Sequence, residues 1–134
     1  MKQILDFLEK NSPFYFATTD GKQAYVRPFG LVFEESGKLY FSMGTHKECY
    51  RQLTKNSSFE VCCADREGRW LRIRGQGVLD NSPDLSKIAF RISPNLKSLY
   101  NEETGHTLGF IYLSEGVAEF CDLQGGFECI EIHA

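Results

Sequence analysis

Between residues 24 and 33 one arginine is set among apolar neighbours. The odd positions Tyr25, Arg27, Phe29, Leu31 and Phe33 would share one face of a strand, and the even positions Ala24, Val26, Pro28, Gly30 and Val32 are small or rigid. Pro28 lacks a backbone N–H and so belongs at a sheet edge or bulge. Gly30 would let another group come close to the backbone. The simplest account of this stretch alone is a packed strand with a bulge, Arg27 reaching to water. A second stretch, Gly44-Thr45-His46-Lys47, brings a hydroxyl and an ammonium to the start of a helix. Thr45-His46-Lys47-Glu48 has the form of a capping box, with Thr45 as the cap. The free N–H groups and partial positive charge of such an end attract phosphate, though a plain cap with a solvated Lys47 would read the same way.

A third stretch, Arg69–Arg74, alternates. Trp70, Arg72 and Arg74 would lie on one face of a strand, Leu71 and Ile73 on the other. The only tryptophan of the chain is thereby placed beside two cations. That is either an exposed basic strand or a surface for a flat anionic ligand or a partner subunit.

Other chemistries find little support. There is no GxSxG for a serine hydrolase and no local signature of a reactive cysteine. Phosphate-binding P-loop and GxGxxG patterns are absent, and Gly75-Gln76-Gly77 falls inside an expected strand. The five cysteines include no CxxC, and the three histidines are scattered, so structural zinc is not expected. Cys62 and Cys63 would point to opposite faces of a strand. Reduced, mostly buried thiols suit a cytoplasmic protein. No side chain is an evident general acid, and His46 comes nearest.

The elements that must position these residues follow from periodicity and turn chemistry. Met1, Ile4, Leu5 and Leu8 give residues 1–10 one apolar helical face, ended by Asn11-Ser12-Pro13. Strands are expected at 14–19, 24–33 and 38–43, with turns at Asp20-Gly21 and Ser36-Gly37. A helix over 45–55 follows, then strands at 59–64 and 69–79. Ser82-Pro83 starts a further helix whose apolar face is Leu85, Ile88, Ala89 and Ile92, and a short helical piece covers 96–100. Strands at 107–113, 116–121 and 127–132 close the chain. Eight short strands with tight turns predict a mainly β protein, an antiparallel sheet closing into a barrel, in a single domain over 1–134.

Composition sets the remaining bounds. With 42% hydrophobic residues, 25% charged and a net charge of −3, the chain has no general attraction to nucleic acid or anionic membranes. No window approaches a membrane span, and Met1-Lys2-Gln3 leads into an amphipathic stretch rather than a secretory leader.

Taken in order, the segments Phe14-Tyr15-Phe16-Ala17-Thr18, Val26-Arg27-Pro28-Phe29-Gly30, Lys38–Ser42, Lys47-x-x-Tyr50-x-Gln52-Leu53 and Trp70-Leu71-Arg72-Ile73-x-Gly75 resemble the pyridoxamine-5′-phosphate-oxidase-like superfamily of FMN-binding split barrels. The resemblance is to its short bacterial members, grouped with the nitroimidazole-resistance (Nim-type) proteins. It implies a homodimer with FMN between the subunits. Arg27, Pro28, Phe29 and Gly30 would then lie along the isoalloxazine and ribityl chain, flanked by Ser42 and Met43. Thr45, His46 and Lys47 would take the phosphate, and Trp70 and Arg72 would sit where the second subunit approaches the ring. The superfamily's other cofactors are the deazaflavin F420 and haem. The resemblance further implies a flavin-dependent oxidoreductase acting on a small acceptor, nitro-aromatic or quinone-like, with a non-catalytic flavin carrier or sensor as the alternative. Phe127–Ala134 lacks the Trp- and Arg-containing segment of the vitamin B6 oxidases, which argues against pyridoxamine phosphate oxidation.

Overall fold

The computed structural model describes residues 1–134. Its elements run α1 (Lys2–Lys10), β1 (Phe14–Thr19), β2 (Ala24–Phe29), β3 (Val32–Glu35), β4 (Lys38–Gly44), α2 (Glu48–Lys55), β5 (Ser58–Ala64), β6 (Arg69–Leu79), α3 (Pro83–Ile92), a 3₁₀ turn (Pro94–Ser98), β7 (Leu108–Asp122) and β8 (Phe127–His133). All pairings are antiparallel, in the order β2-β1-β5-β6-β7-β4-β3 with β8 also on β7. This is a split β-barrel. No helix is long and apolar enough to cross a membrane.

Two differences from the expected strands compensate in number. The expected 24–33 strand breaks at Gly30-Leu31 into β2 and β3, which lie at opposite edges of the sheet. The link therefore crosses the open seam of the barrel. Pro28 sits on the edge strand β2, which pairs only with β1, as its missing N–H requires. Conversely, the two strands expected at 107–113 and 116–121 are one 15-residue strand, β7. It bends where the β6 register shifts at Gln76/Gly77, so it can pair with β4 at one end and with β8 at the other. Gly75 and Gly116 face each other beside this bend, and a Cβ on Gly75 would lie 2.1 Å from the Glu115 carbonyl oxygen. The close backbone approach explains glycine there.

The inward faces close over Phe14, Phe16, Phe41, Phe59, Val61, Leu71 and Ile73, all buried. Ile4 and Leu8 of α1 and Cys49 and Leu53 of α2 plug this core. A second, smaller cluster, including Phe33, Tyr40 and Phe110, lies under Leu85 and Ala89 of α3. The Ser36-Gly37 turn has positive φ at both residues (54° and 77°), the form that matches the twist of a tight hairpin. Ser82 precedes α3 as expected, yet its hydroxyl donates to Asp80 Oδ1 at 2.6 Å instead of capping the helix. All five cysteines are free, but only Cys49 and Cys63 are buried, whereas Cys62 and Cys129 are exposed. The expectation of mostly buried thiols fails because the outward face of β5 and β8 is open to solvent.

Candidate functional site

The seam between the two sheet edges opens into a cleft of about 860 Å³. Arg27, Pro28, Phe29, Gly30 and Leu31 form one side, and Ser42, Met43 and Gly44, at the end of β4, form the floor. Lys47, Glu48 and Cys49 close one end. The far wall is Ile92 and Ser93 from the end of α3, with Leu96 and Tyr100 around the 3₁₀ turn. One end thus carries charge, the ammonium of Lys47 beside the Glu48 carboxylate that Arg51 engages, and the rest is mostly apolar. The outward turn of Ile92, which is 51% exposed, explains an apolar residue at the end of the α3 stripe: Leu85 and Ala89 of that stripe serve the core, and Ile92 serves the cleft.

The charged end departs from the expected cap. α2 begins at Glu48, with Lys47 in the cap position and no side-chain capping bond. Thr45 donates its N–H to Thr107 O at 2.9 Å, and Lys47 N–H closes a turn on Gly44 O at 3.0 Å. The capping box does not form because the Thr45 bond continues the β4–β7 pairing past Gly44 and the Lys47 turn follows it, which delays the helix. Glu48, instead of reaching back, accepts from Arg51 at 2.9 Å and from Gln52 at 3.5 Å. Its carboxyl is held below the ordinary range, chiefly by the Arg51 bond.

The later start leaves the N–H groups of Glu48, Cys49 and Tyr50 without a protein acceptor. Lys47 has no ion pair, and Arg27 donates only through Nη1, leaving Nε and Nη2 free. Unpaired helix N–H groups, a free ammonium and the positive end of the helix dipole are complementary to a phosphate monoester. The apolar wall and the volume suit a flat organic body of cofactor size. The residues present therefore fit FMN.

His46 does not line the cleft. Its ring stacks on His106 at 3.7 Å between centroids, 11° from parallel, with Tyr100 behind it. Partial desolvation lowers the His46 pKa first, and the charges of His106, Lys47 and Arg51 lower it further. The neutral imidazole is favoured in the fold, so His46 favours folding above its ordinary value of 6.5 and loses that contribution as pH falls through its lowered folded value. A proton NMR titration is expected to show His46 titrating below its ordinary value of 6.5, and a bound phosphate dianion to move it back upward. A His46 midpoint at or above 6.5 in the ligand-free protein would contradict the stack on His106.

Cys49 lies against Thr18 and Arg27, but burial raises its thiol pKa, so it is not a thiolate nucleophile. Thr45 sits in the turn beside the cleft, its methyl against Gly109. Gly30 meets nothing nearer than Ser12 Oγ, 3.8 Å from a virtual Cβ, so any close approach there would be a ligand's.

Trp70 and Arg72 do not reach the cleft within this chain. They occupy the face of β6 opposite the buried Leu71 and Ile73. Arg72 and Arg74 both bond the Glu119 carboxylate, which is only 4% exposed. Arg72 Nε also lies 3.8 Å from Glu60. The expected cationic surface is largely neutralised by these carboxylates, which stand on neighbouring strands and are invisible to alternation along β6 alone.

Thr18 and Gln52, both buried, escaped the sequence analysis as site residues. A glutamine on the buried stripe of α2, between Cys49 and Leu53, was the available signal.

Comparison with solved structures finds a NimC/NimA family protein from Clostridium acetobutylicum, 33% identical, with a TM-score of 0.89 over 98% of this chain and 92% of that one. A pyridoxamine 5′-phosphate oxidase-related, FMN-binding protein from Nostoc punctiforme superposes with a TM-score of 0.62 at 14% identity, over 99% of this chain and 96% of that one. An F420 reductase matches at 0.59 and 16% identity, over 83% of this chain and 93% of its own. These last two share the fold. No family model and no curated protein matches the chain.

Proposed function

The chain belongs to the NimC/NimA family, and on that premise we propose that it is a homodimeric, cytoplasmic FMN-binding oxidoreductase acting on a small organic acceptor, nitro-aromatic or quinone-like. The observation that carries the cofactor is the cleft itself. Lys47 and three unpaired N–H groups stand at one end, and an apolar wall follows at the other. Lys47 and the start of α2 would hold the phosphate, and Arg27 Nε and Nη2 would face the polar edge of the ring system. Ile92, Leu96 and Tyr100 would shield the opposite side from water. Bound FMN supplies the hydride or electron transfer.

A dimer is supported by what one chain leaves uncovered. Edge strand β2 carries the exposed Val26 and Tyr25, 67% and 39% accessible, and neighbouring β1 the exposed Tyr15, 50% accessible. Trp70 lies on the outward face of the same sheet. The five free thiols suit a reducing compartment. A non-catalytic flavin carrier is favoured by one observation: His46, the nearest candidate for a general acid, is stacked on His106 outside the cleft.

Purified protein mixed with FMN and desalted is expected to retain flavin absorbance at about one cofactor per chain. A colourless protein would refute the reading, and a retained haem or deazaflavin spectrum would replace the cofactor. Anaerobic turnover of reduced nicotinamide with a nitro-aromatic acceptor separates the oxidoreductase from the carrier.

A further inference from the structure

We propose that Thr18 and Gln52 are positioning residues that fix Arg27 toward the cleft, through a one-way chain of hydrogen bonds ending on Glu48. Arg27 Nη1 donates to Thr18 Oγ1 at 2.8 Å and to the Phe16 carbonyl at 3.2 Å. A guanidinium only donates, so Thr18 Oγ1 is the acceptor and its own proton goes to Gln52 Oε1. Gln52 then donates through Nε2 to Glu48 Oε1 at 3.5 Å. The chain starts on a cation and ends on a carboxylate, so every donor points the same way. Such an alignment polarises each bond in the favourable sense.

Thr18 and Gln52 are 3% and 4% exposed, and Glu119 is the only other polar residue so deeply buried. Burying a hydroxyl and an amide is costly without partners. Here the partners are two groups that line the cleft, one on edge strand β2 and the other on the first turn of α2. Arg27 belongs to a strand paired on one side only, and a free arginine side chain has considerable rotamer freedom. Anchoring Nη1 removes that freedom while leaving Nε and Nη2 for a ligand, which is preorganisation of the binding group. The same chain keeps the two ends of the cleft in register, since Arg27 and Glu48 cannot separate without breaking it.

The test begins without ligand, by measuring 15N relaxation of the Arg27 side-chain Nε–H. Wild-type protein and Thr18→Ser, which keeps the hydroxyl, are expected to show an ordered Arg27. Thr18→Val, which keeps the shape and loses the hydroxyl, is expected to bring Arg27 to the mobility of the exposed Arg66. Gln52→Met, which removes the next acceptor, should loosen it likewise and serves if Thr18→Val does not fold. Unchanged Arg27 order in a folded Thr18→Val or Gln52→Met overturns the proposal.

The ligand arm rests on the FMN reading given above and uses quenching of free FMN fluorescence. Thr18→Val is expected to weaken FMN binding about tenfold, the worth of a hydrogen bond to a charged group. Thr18→Ser should match wild type, and adding Thr18→Val to Arg27→Gln should weaken binding no further. Full additivity of that pair would overturn the proposal. Failure of the wild type to bind FMN counts against the cofactor alone, because the arginine measurement requires none.

Discussion

Phe16→Ala is expected to lower folding stability by about 3–5 kcal/mol, the cost of deleting a fully buried ring and leaving a cavity behind. Phe16 is completely buried. It stacks on Phe29 at 4.7 Å and on Phe59 at 4.8 Å between centroids, and tilts against Phe41 at 5.4 Å. Those neighbours come from β2, β5 and β4, so the one ring of Phe16 ties three strands together. Phe59 is held by β5 and Phe41 by β4, which cannot collapse into the space without breaking their own pairing. Denaturant unfolding measures the loss, and a value below about 1 kcal/mol would show that the rings rearrange freely. A functional consequence follows. Phe29 lines the cleft and belongs to a strand paired on one side only, so loss of its stacking partner should weaken FMN binding even where the variant remains folded.

The largest effect on the ligand alone is expected from Lys47→Glu, which should weaken FMN binding about 100-fold while leaving the unfolding midpoint close to wild type. A charge-assisted hydrogen bond contributes about 1.5–3 kcal/mol, each tenfold in affinity is about 1.4 kcal/mol, and the new carboxylate would repel a phosphate dianion besides. Stability should hold because Lys47 is exposed and joins no ion pair, and because an acidic residue at a helix start favours the helix dipole. Fluorescence titration against FMN and against riboflavin, which lacks the phosphate, decides the matter. If Lys47→Glu weakens both equally, Lys47 acts on the ring system or on the fold and not on a phosphate.

Much of this was legible in the chain before its structure. Pro28 required an edge position and Asp20-Gly21 and Ser36-Gly37 required tight turns, because these constraints act within a few residues. The alternation in Arg69–Arg74 separated the buried Leu71 and Ile73 from the outward Trp70, Arg72 and Arg74 for the same reason. The capping box at Thr45 was misleading. A local motif competes with the strand pairing of Thr45 to Thr107, and a pairing across 62 positions cannot be seen from four residues. The break at Gly30-Leu31 was likewise hidden, since only closure of the sheet decides that β2 and β3 belong to opposite edges.

The candidate site divides along the same line. Arg27, Pro28, Phe29, Gly30 and Lys47 carried their own chemical signals, Ser42 and Met43 entered only through the family resemblance, and all seven meet in one cleft. Ile92, Leu96 and Tyr100 looked like ordinary helix residues until α3 and the 3₁₀ turn were laid across the seam. Thr18 and Gln52 are 34 positions apart and became a pair only when α2 packed on β1. By itself, then, the sequence determined the antiparallel β class, the turns and the residue types able to meet an anionic, flat molecule, because backbone sterics and side-chain alternation are short-range. Tertiary structure alone decided which strands are edges, that the later start of α2 frees three N–H groups, and that Glu119 claims Arg72 and Arg74, because each depends on contacts between segments far apart in the chain.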